Sequence, residues 1–167
     1  LGPFHIGVVR TMFQEGILPR VISGASAGSM VAAVVCTRTD EELAELFASD
    51  QLNNLFGEMK GAETGKRISQ ENVRALIEAL IPDMTFIEAF EKTGRYINVS
   101  VAAKEVMQRS RMLNSTTSPT ALIREAVLAS CAIPGIFPPV TLAARNGNGE
   151  KCAYVPSRQW VDGSVTH

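Results

Sequence analysis

One segment of the chain carries a pattern that is suited to nucleophilic chemistry. The pattern Gly-x-Ser-x-Gly occurs at Gly24-Ala25-Ser26-Ala27-Gly28, after the apolar pair Val21-Ile22 and before an apolar, Ala-rich stretch. This layout is typical of a nucleophile elbow, in which a strand ends in a sharp turn, a serine occupies the apex and a helix follows. We expect Gly24 and Gly28 to stand where a Cβ atom would clash, because strand and helix pack closely there. N–H groups at the start of the helix would favour an oxyanion beside Ser26.

The serine hydroxyl needs a base to take its proton. Asp162 follows a short apolar strand in the segment Val161-Asp162-Gly163-Ser164, and a glycine after it permits close approach to another backbone. A carboxylate in a partly dry pocket can serve as a base without an imidazole, because burial favours its protonated form. The alternatives are that Asp162 is a plain turn residue, or that it supports His167 in a triad of the order Ser-Asp-His. We expect His5 and His167 to lie too far from Ser26 to take its proton.

The surrounding pattern alternates strands with helices, which predicts a layered α/β fold. Strands are predicted at residues 21–22, 95–101 and 160–161, because β-branched and aromatic residues alternate or cluster there. Helices are predicted from their capping residues and apolar spacing at Phe4 to Gln14, Ala27 to Cys36, the segment after Thr39, Ser69 to Leu80, Thr85 to Lys92 and Pro119 to Ser130. Residues 53–67 are predicted to form a loop, and residues 146–150 a hairpin turn.

The predicted positions of Ser26 and Asp162 favour a shared site. In α/β sheets the chemistry gathers outside the carboxyl ends of the strands, and both residues come just past the end of a predicted strand. The segment from Ala132 to Pro139 holds three prolines and cannot form regular structure. We expect Ile133, Pro134, Ile136 and Phe137 in this segment either to wall an apolar pocket for an acyl chain or to pack as an ordinary crossover loop.

Composition limits the classes of protein that fit. The chain has 167 residues, the size of one domain, and a formal net charge of −1, which argues against nucleic acid as the main partner. The three cysteines are widely spaced and form no CxxC pair. We therefore expect reduced thiols and no zinc site. No apolar run is long enough to span a membrane. Because the chain begins at Leu1, we expect a fragment whose first strand and preceding loop are missing.

Four motifs in order resemble the patatin-like phospholipase family. They are Gly2-x-x-His5-x-Gly7-Val8, Gly24-Ala25-Ser26-Ala27-Gly28-Ser29, the run from Ala129 to Pro139, and Val161-Asp162-Gly163-Ser164. Their spelling is similar to that of fungal and plant triacylglycerol lipases of that family. The resemblance implies one domain over residues 1–167, truncated at its amino end, with a three-layer α/β/α sandwich around a mostly parallel sheet.

The resemblance also implies a mechanism. Ser26 would be the nucleophile and Asp162 the base of a serine–aspartate dyad, acting on lipid esters through an acyl-enzyme, with no metal or organic cofactor. The oxyanion hole would come from a glycine-rich loop upstream, of which Gly2 is the last trace, and from the elbow at Gly24, Ala27 and Gly28. An intracellular location at a lipid droplet or endoplasmic reticulum membrane is implied as well. The alternatives are a non-catalytic lipid-binding or scaffolding domain and a Ser-His-Asp esterase.

Overall fold

The computed structural model describes residues 2–49, 51–52, 69–105 and 109–164. The predicted loop at 53–67 and His167 lie outside these ranges. The helices are α1 (Gly2–Gln14), α2 (Ala27–Cys36), α3 (Asp40–Ala48), α4 (Gln70–Leu80), α5 (Phe86–Thr93) and α6 (Ile123–Ser130). The strands are β1 (Val21–Gly24), β2 (Tyr96–Ala103), β3 (Arg111–Leu113), β4 (Ala143–Arg145), β5 (Lys151–Ala153) and β6 (Trp160–Asp162).

The main sheet is organised around β2, which pairs with β1, β3 and β6. The α/β class is therefore confirmed, but the sheet is mixed, whereas the sequence predicted a mostly parallel one. In the described part of the chain β1 is parallel to β2, and β3 and β6 are antiparallel to it. The short connection from β2 to β3 explains one of these pairings, because a parallel return needs a crossover of about a dozen residues or more.

Most helix boundaries follow the predicted local signals. The Thr39 and Thr85 hydroxyls each accept a hydrogen bond from the backbone amide of the glutamate three residues later, and the carboxylate of that glutamate accepts one from the amide of the threonine. Ser69 caps α4 through its side chain, as predicted. Gly16 and Gly94 follow α1 and α5 with φ of 69° and 67°, a backbone conformation that glycine adopts at little cost.

The predicted start of α6 at Pro119 is wrong. The helix begins at Ile123, and its N-cap residue Leu122 makes no side-chain capping bond. The residues before it are used in tertiary pairing instead: the Pro119 carbonyl accepts from Ile87 N, and the Leu122 amide donates to the Ala143 carbonyl. Backbone groups that are engaged with other segments are not available to extend a helix.

The core lies where α2 and α6 pack against β2. Helix α2 is buried from Ser29 to Cys36 and packs on β1, β2, α1 and α6. Helix α6 is buried over most of its length and packs on β2 and β6. In the ranges that the structure describes, no helix is long and apolar enough to cross a membrane. This core fixes the ends of β1, β6 and α6 relative to one another.

Candidate active site

Ser26 sits at the apex of a strained turn between β1 and α2. Its φ is 49° and its ψ is −127°, and a serine at positive φ is uncommon outside functional turns. It occupies the N-cap position of α2, where a serine side chain normally accepts a bond from the helix backbone, yet it makes no such bond. The Ser26 hydroxyl is therefore not used to cap α2.

The two glycines of the elbow differ in what they must avoid. A Cβ atom on Gly24 would lie 2.3 Å from the carbonyl carbon of Gly28 and 2.5 Å from the amide nitrogen of Ser29. This is the close packing that the sequence predicted. A Cβ atom on Gly28 would meet only His5 Cδ2, at 3.9 Å, so the same expectation for Gly28 is wrong.

Asp162 reaches the elbow from the opposite direction along the same edge of β2. Val99 pairs with Gly24 and with Leu113, and Val101 pairs with Asp162 and with Arg111. Because β3 occupies one edge of β2 at both positions, β1 and β6 share the other edge. The last residues of β1 and β6 thus face positions two residues apart on β2, a spacing of about 7 Å along a strand.

This geometry corrects one step of the sequence argument. The expectation that Ser26 and Asp162 share a site assumed strands whose carboxyl ends point the same way. Strand β6 is antiparallel to β2 and to β1, so its carboxyl end approaches that of β1 head-on. The two residues are brought together by collinear strands that meet, rather than by parallel neighbours that end side by side.

Asp162 is buried, with 2% of its surface exposed, and its carboxylate is held from one side. Its Oδ1 atom accepts hydrogen bonds from the amide of Ser164 at 2.9 Å and from the Ser164 hydroxyl at 2.7 Å. Among the described residues, Oδ2 accepts no hydrogen bond and Ser26 Oγ does not bond to the carboxylate. Gly163 packs on Ser100 so closely that a Cβ atom there would lie 2.4 Å from Ser100 Oγ.

The last residue of α6 and the start of the loop after it contact both sides of the site. The Ser130 hydroxyl accepts a hydrogen bond from the amide of Ser26 at 3.0 Å and donates one to the carbonyl of Ser100 at 2.7 Å. Two residues later, the Ala132 carbonyl accepts from the amide of Asp162 at 3.0 Å. Sequence reasoning quoted this segment as a motif but missed these contacts; the only signal was a small polar residue at the end of an apolar helix.

The thiol between these two contacts stays protonated. Burial and, to a smaller extent, the charge of Asp162 raise the pKa of Cys131 to about 12, although a hydrogen bond with Ser29 opposes the rise. The Ser29 hydroxyl also donates to the Ser26 carbonyl at 2.6 Å. The prediction of reduced cysteines is matched for the three positions, with Cys36 and Cys131 buried and Cys152 exposed.

The candidate oxyanion donors are not equivalent. The Gly28 amide donates to the Ala25 carbonyl at 2.9 Å. The Ala27 amide has no acceptor among the described residues, as is usual for the first residue of a helix. Gly2 is the first residue of α1. Ala27 therefore has the amide that is free to bind an oxyanion beside Ser26.

The histidines do not complete a triad in the described ranges. His5 lies near Gly28, because a Cβ atom added to Gly28 would be 3.9 Å from His5 Cδ2. Within the described ranges His5 makes no hydrogen bond with Ser26. Its Nδ1 atom is buried and has no partner among the described residues. His167 lies outside these ranges. Over the described residues there is also no cluster of three or more His, Cys, Asp or Glu side chains that could hold a metal.

The predicted pocket residues follow directly after the contact to Asp162. Ile133, Pro134 and Phe137 are half-buried, and Phe137 packs against the core. Ile136 is 66% exposed. The loop is irregular, as predicted, and Gly135 within it has a φ of 80°.

Comparisons with known proteins agree on one family. A family model described as "Patatin-like phospholipase" matches residues 1–167. The chain is 35% identical to "Triacylglycerol lipase SDP1L" of Arabidopsis thaliana over 99% of this chain and 23% of that protein. It is 34% identical to "Triacylglycerol lipase ptl2" of Schizosaccharomyces pombe, over 97% of this chain and 27% of that protein.

A further relative is "Triacylglycerol lipase 4" of Saccharomyces cerevisiae, which is 36% identical over 98% of this chain and 20% of that protein. The chain thus spans between 20% and 27% of the length of these three relatives. The match to the family model includes the elbow, the loop after α6 and Asp162, since it extends over residues 1–167.

Proposed function

Because the chain belongs to the patatin-like phospholipase family, we propose that it is a serine acyl hydrolase that cleaves lipid esters through Ser26 and Asp162. The observation that carries the proposal is the meeting of β1 and β6 on one edge of β2. It brings a strained serine with an unengaged hydroxyl towards a buried carboxylate with one unoccupied oxygen. A nucleophile beside a base is the arrangement that acyl transfer needs.

The proposed reaction has two steps. Asp162 Oδ2 takes the proton of Ser26 as Oγ attacks the ester carbonyl, and the carboxyl group then gives the proton to the departing alcohol. Water next attacks the acyl-enzyme and gives its proton to Asp162. The carboxyl group returns that proton to Ser26 Oγ as the fatty acid is released, which restores both residues.

The Ala27 amide is our candidate donor to the oxyanion in both steps. It is unpaired among the described residues, it follows the nucleophile directly, and it lies at the positive end of α2. Removing one oxyanion donor typically costs about 10²- to 10³-fold in rate, so the Ala27 amide would contribute strongly to the proposed rate of acyl transfer. Gly2 stays a candidate for a second donor, by resemblance alone.

We further propose that the loop after Ala132 contacts the acyl chain. Ile133, Pro134 and Phe137 offer a half-buried apolar wall directly after the contact to Asp162. Ile136 offers an exposed apolar side chain that would suit a lipid surface. The printed names of the relatives and of the family, triacylglycerol lipase and patatin-like phospholipase, support a triacylglycerol or a phospholipid ester as the substrate. A location inside the cell, at a lipid droplet or endoplasmic reticulum surface, is part of the proposal by family resemblance alone.

The test is covalent labelling of the full-length protein with a fluorophosphonate ester. We expect the wild-type protein to be labelled at Ser26, and Ser26→Ala to lose both labelling and lipid-ester hydrolysis. Asp162→Asn should reduce kcat by about 10³-fold or more, the scale on which loss of a catalytic base acts. Ser23→Ala is the matched control, because Ser23 is exposed three residues earlier and, within the described ranges, its hydroxyl accepts a bond only from Asn98.

Two outcomes would favour the other classes. A folded full-length protein that neither labels nor hydrolyses esters would favour a lipid-binding or scaffolding domain. A loss of about 10⁴-fold in His167→Ala would favour a Ser-His-Asp esterase, because that is the scale of damage to a triad.

A further inference from the structure

Ser130 joins the nucleophile to the central strand by a buried hydroxyl that no solvent reaches. The residue is 0% exposed. Its Oγ accepts from the amide of Ser26 at 3.0 Å and donates to the carbonyl of Ser100 at 2.7 Å, so both of its hydrogen-bonding roles are used. The first bond spans 104 positions of the sequence. The residue therefore connects the elbow, α6 and β2 through one atom.

The position of that bond matters because Ser26 holds an unfavourable backbone conformation. Residues at such φ and ψ persist only where the surrounding structure holds them. The Ser26 carbonyl accepts hydrogen bonds from residues of α2. The Ser26 amide, by contrast, donates to a residue outside both β1 and α2. Without Ser130 it would be a donor without an acceptor in a half-buried place.

The same short segment also fixes the other half of the site. The Ala132 carbonyl accepts from the amide of Asp162 at 3.0 Å. Ser100, which accepts from Ser130, is the residue of β2 between the levels of Gly24 and Asp162, and Gly163 packs directly on it. Movement of Ser130 would therefore displace both the Ser26 side and the Asp162 side of the site.

We propose that Ser130 is a positioning residue that holds Ser26 at the distance from Asp162 needed for proton transfer. This inference rests on the proposed function of Ser26 and Asp162. Ser130 touches neither substrate nor the reacting atoms; it acts through the backbone of Ser26 and the carbonyl of Ser100. Displacement of a reacting group by about 1 Å costs about 10²-fold in rate, so a small loss of order here has a large effect.

The kinetic test compares Ser130→Ala with Thr37→Ala in the full-length protein. Thr37 is also 0% exposed, and its hydroxyl donates to the Ala33 carbonyl at 2.7 Å at the far end of α2. We expect Ser130→Ala to lower kcat and the rate of fluorophosphonate labelling by about 10- to 100-fold, with KM changed less than about threefold. Thr37→Ala should keep kcat, although it also removes a buried hydroxyl and its hydrogen bond. Equal kcat in the two variants would overturn the proposal.

A second measurement needs no variant and no activity. Hydrogen exchange at single-residue resolution on the wild-type protein should show a protected Ser26 amide beside an unprotected Ala27 amide, because only the former has an acceptor. Equally fast exchange at both amides would overturn the proposal even if Ser130→Ala fails to fold. If the wild-type protein hydrolyses no ester, the proposed function fails, while a protected Ser26 amide would still establish the contact that Ser130 makes.

Discussion

A Cβ atom added to Gly24 would lie 2.3 Å from the carbonyl carbon of Gly28, which is closer than real Cβ atoms approach backbone. Gly24→Ala should therefore force α2 away from β1 and destabilise the protein by about 1–3 kcal/mol or more, as overpacking does. We expect a lower melting temperature of the full-length variant and loss of fluorophosphonate labelling.

Gly28→Ala is the matched substitution in the same motif. Its added Cβ would meet only His5 Cδ2 at 3.9 Å, and alanine is a better helix former than glycine by about 0.5–1 kcal/mol. The melting temperature should stay unchanged or rise slightly. If Gly24→Ala and Gly28→Ala lower the melting temperature equally, the space around each glycine does not decide whether alanine is tolerated there.

Ser164→Ala should slow the reaction without unfolding the protein. The Ser164 hydroxyl donates to Asp162 Oδ1 at 2.7 Å, and hydrogen bonds to charged groups are worth about 1.5–3 kcal/mol. Loss of this bond leaves only the amide of residue 164 to hold Oδ1, so the carboxylate is less firmly oriented and kcat should fall by about 10- to 100-fold. Ser110→Ala is the control, since the Ser110 hydroxyl donates to the Gly163 carbonyl, at 3.2 Å, rather than to the carboxylate. A smaller effect for Ser164→Ala than for Ser110→Ala would contradict the role of the hydroxyl.

Stability should fall in acid through Glu125, which is 6% exposed and ties α6 to α4 and β5. Its carboxylate accepts from Arg74 at 3.1 Å and from Lys151 at 3.1 Å. Burial opposes ionisation of Glu125, but these two hydrogen bonds and their charges outweigh it and lower its pKa below the ordinary 4.5. A lowered folded-state pKa gives stability that is present above the unfolded value and is lost as pH falls through the folded value.

Glu125→Gln isolates that contribution. At pH 7 the variant should be less stable by about 1–2 kcal/mol, a value kept low because Arg74 and Lys151 are partly exposed. As the pH falls from 4.5 through the lower pKa of Glu125 in the folded protein, the two proteins should converge in urea unfolding, since the wild-type carboxylate becomes protonated over this range. A constant difference across this range would show that the carboxylate charge is not its source.

The three thiols should react at different rates with iodoacetamide at pH 8. Cys152 is exposed, whereas burial raises the pKa of Cys36 and of Cys131 to about 12. At pH 8 a thiol of that pKa is ionised to about one part in 10⁴, and the thiolate is the reactive form. Peptide mapping should find Cys152 alkylated at least about 100-fold faster than the other two. Comparable rates in the native protein would mean that the site around Cys131 opens to solvent.

The features that could be predicted from sequence are those whose cause is local. The capping boxes at Thr39 and Thr85 each depend on a residue three positions away, and both were confirmed. The start of α6 depends on pairing with distant segments, which local signals at Pro119 do not report. Propensity yields to tertiary contacts in such places.

The candidate site divides in the same way. The elbow at Ser26 is visible because its turn needs glycine at position 24, a local steric demand. The direction of β6 leaves no mark on the alternation of its three residues, so its head-on approach to β1 was not foreseen. The residues near Ser130 also do not predict that its hydroxyl accepts a hydrogen bond from an amide 104 positions away.

The shared edge of β2 also sets the order in which the site can exist. A ribosome releases the amino end of a domain first, so a growing chain carries Ser26 on β1 long before Asp162 on β6 emerges. Pairing between such distant segments comes late, because closing the intervening chain is costly in entropy. A nascent chain therefore holds a serine without its carboxylate, and the last gap on the edge of β2 is filled only when synthesis has passed Gly163. If Ser26 and Asp162 act as proposed, the unfinished chain therefore lacks the base that ester cleavage needs.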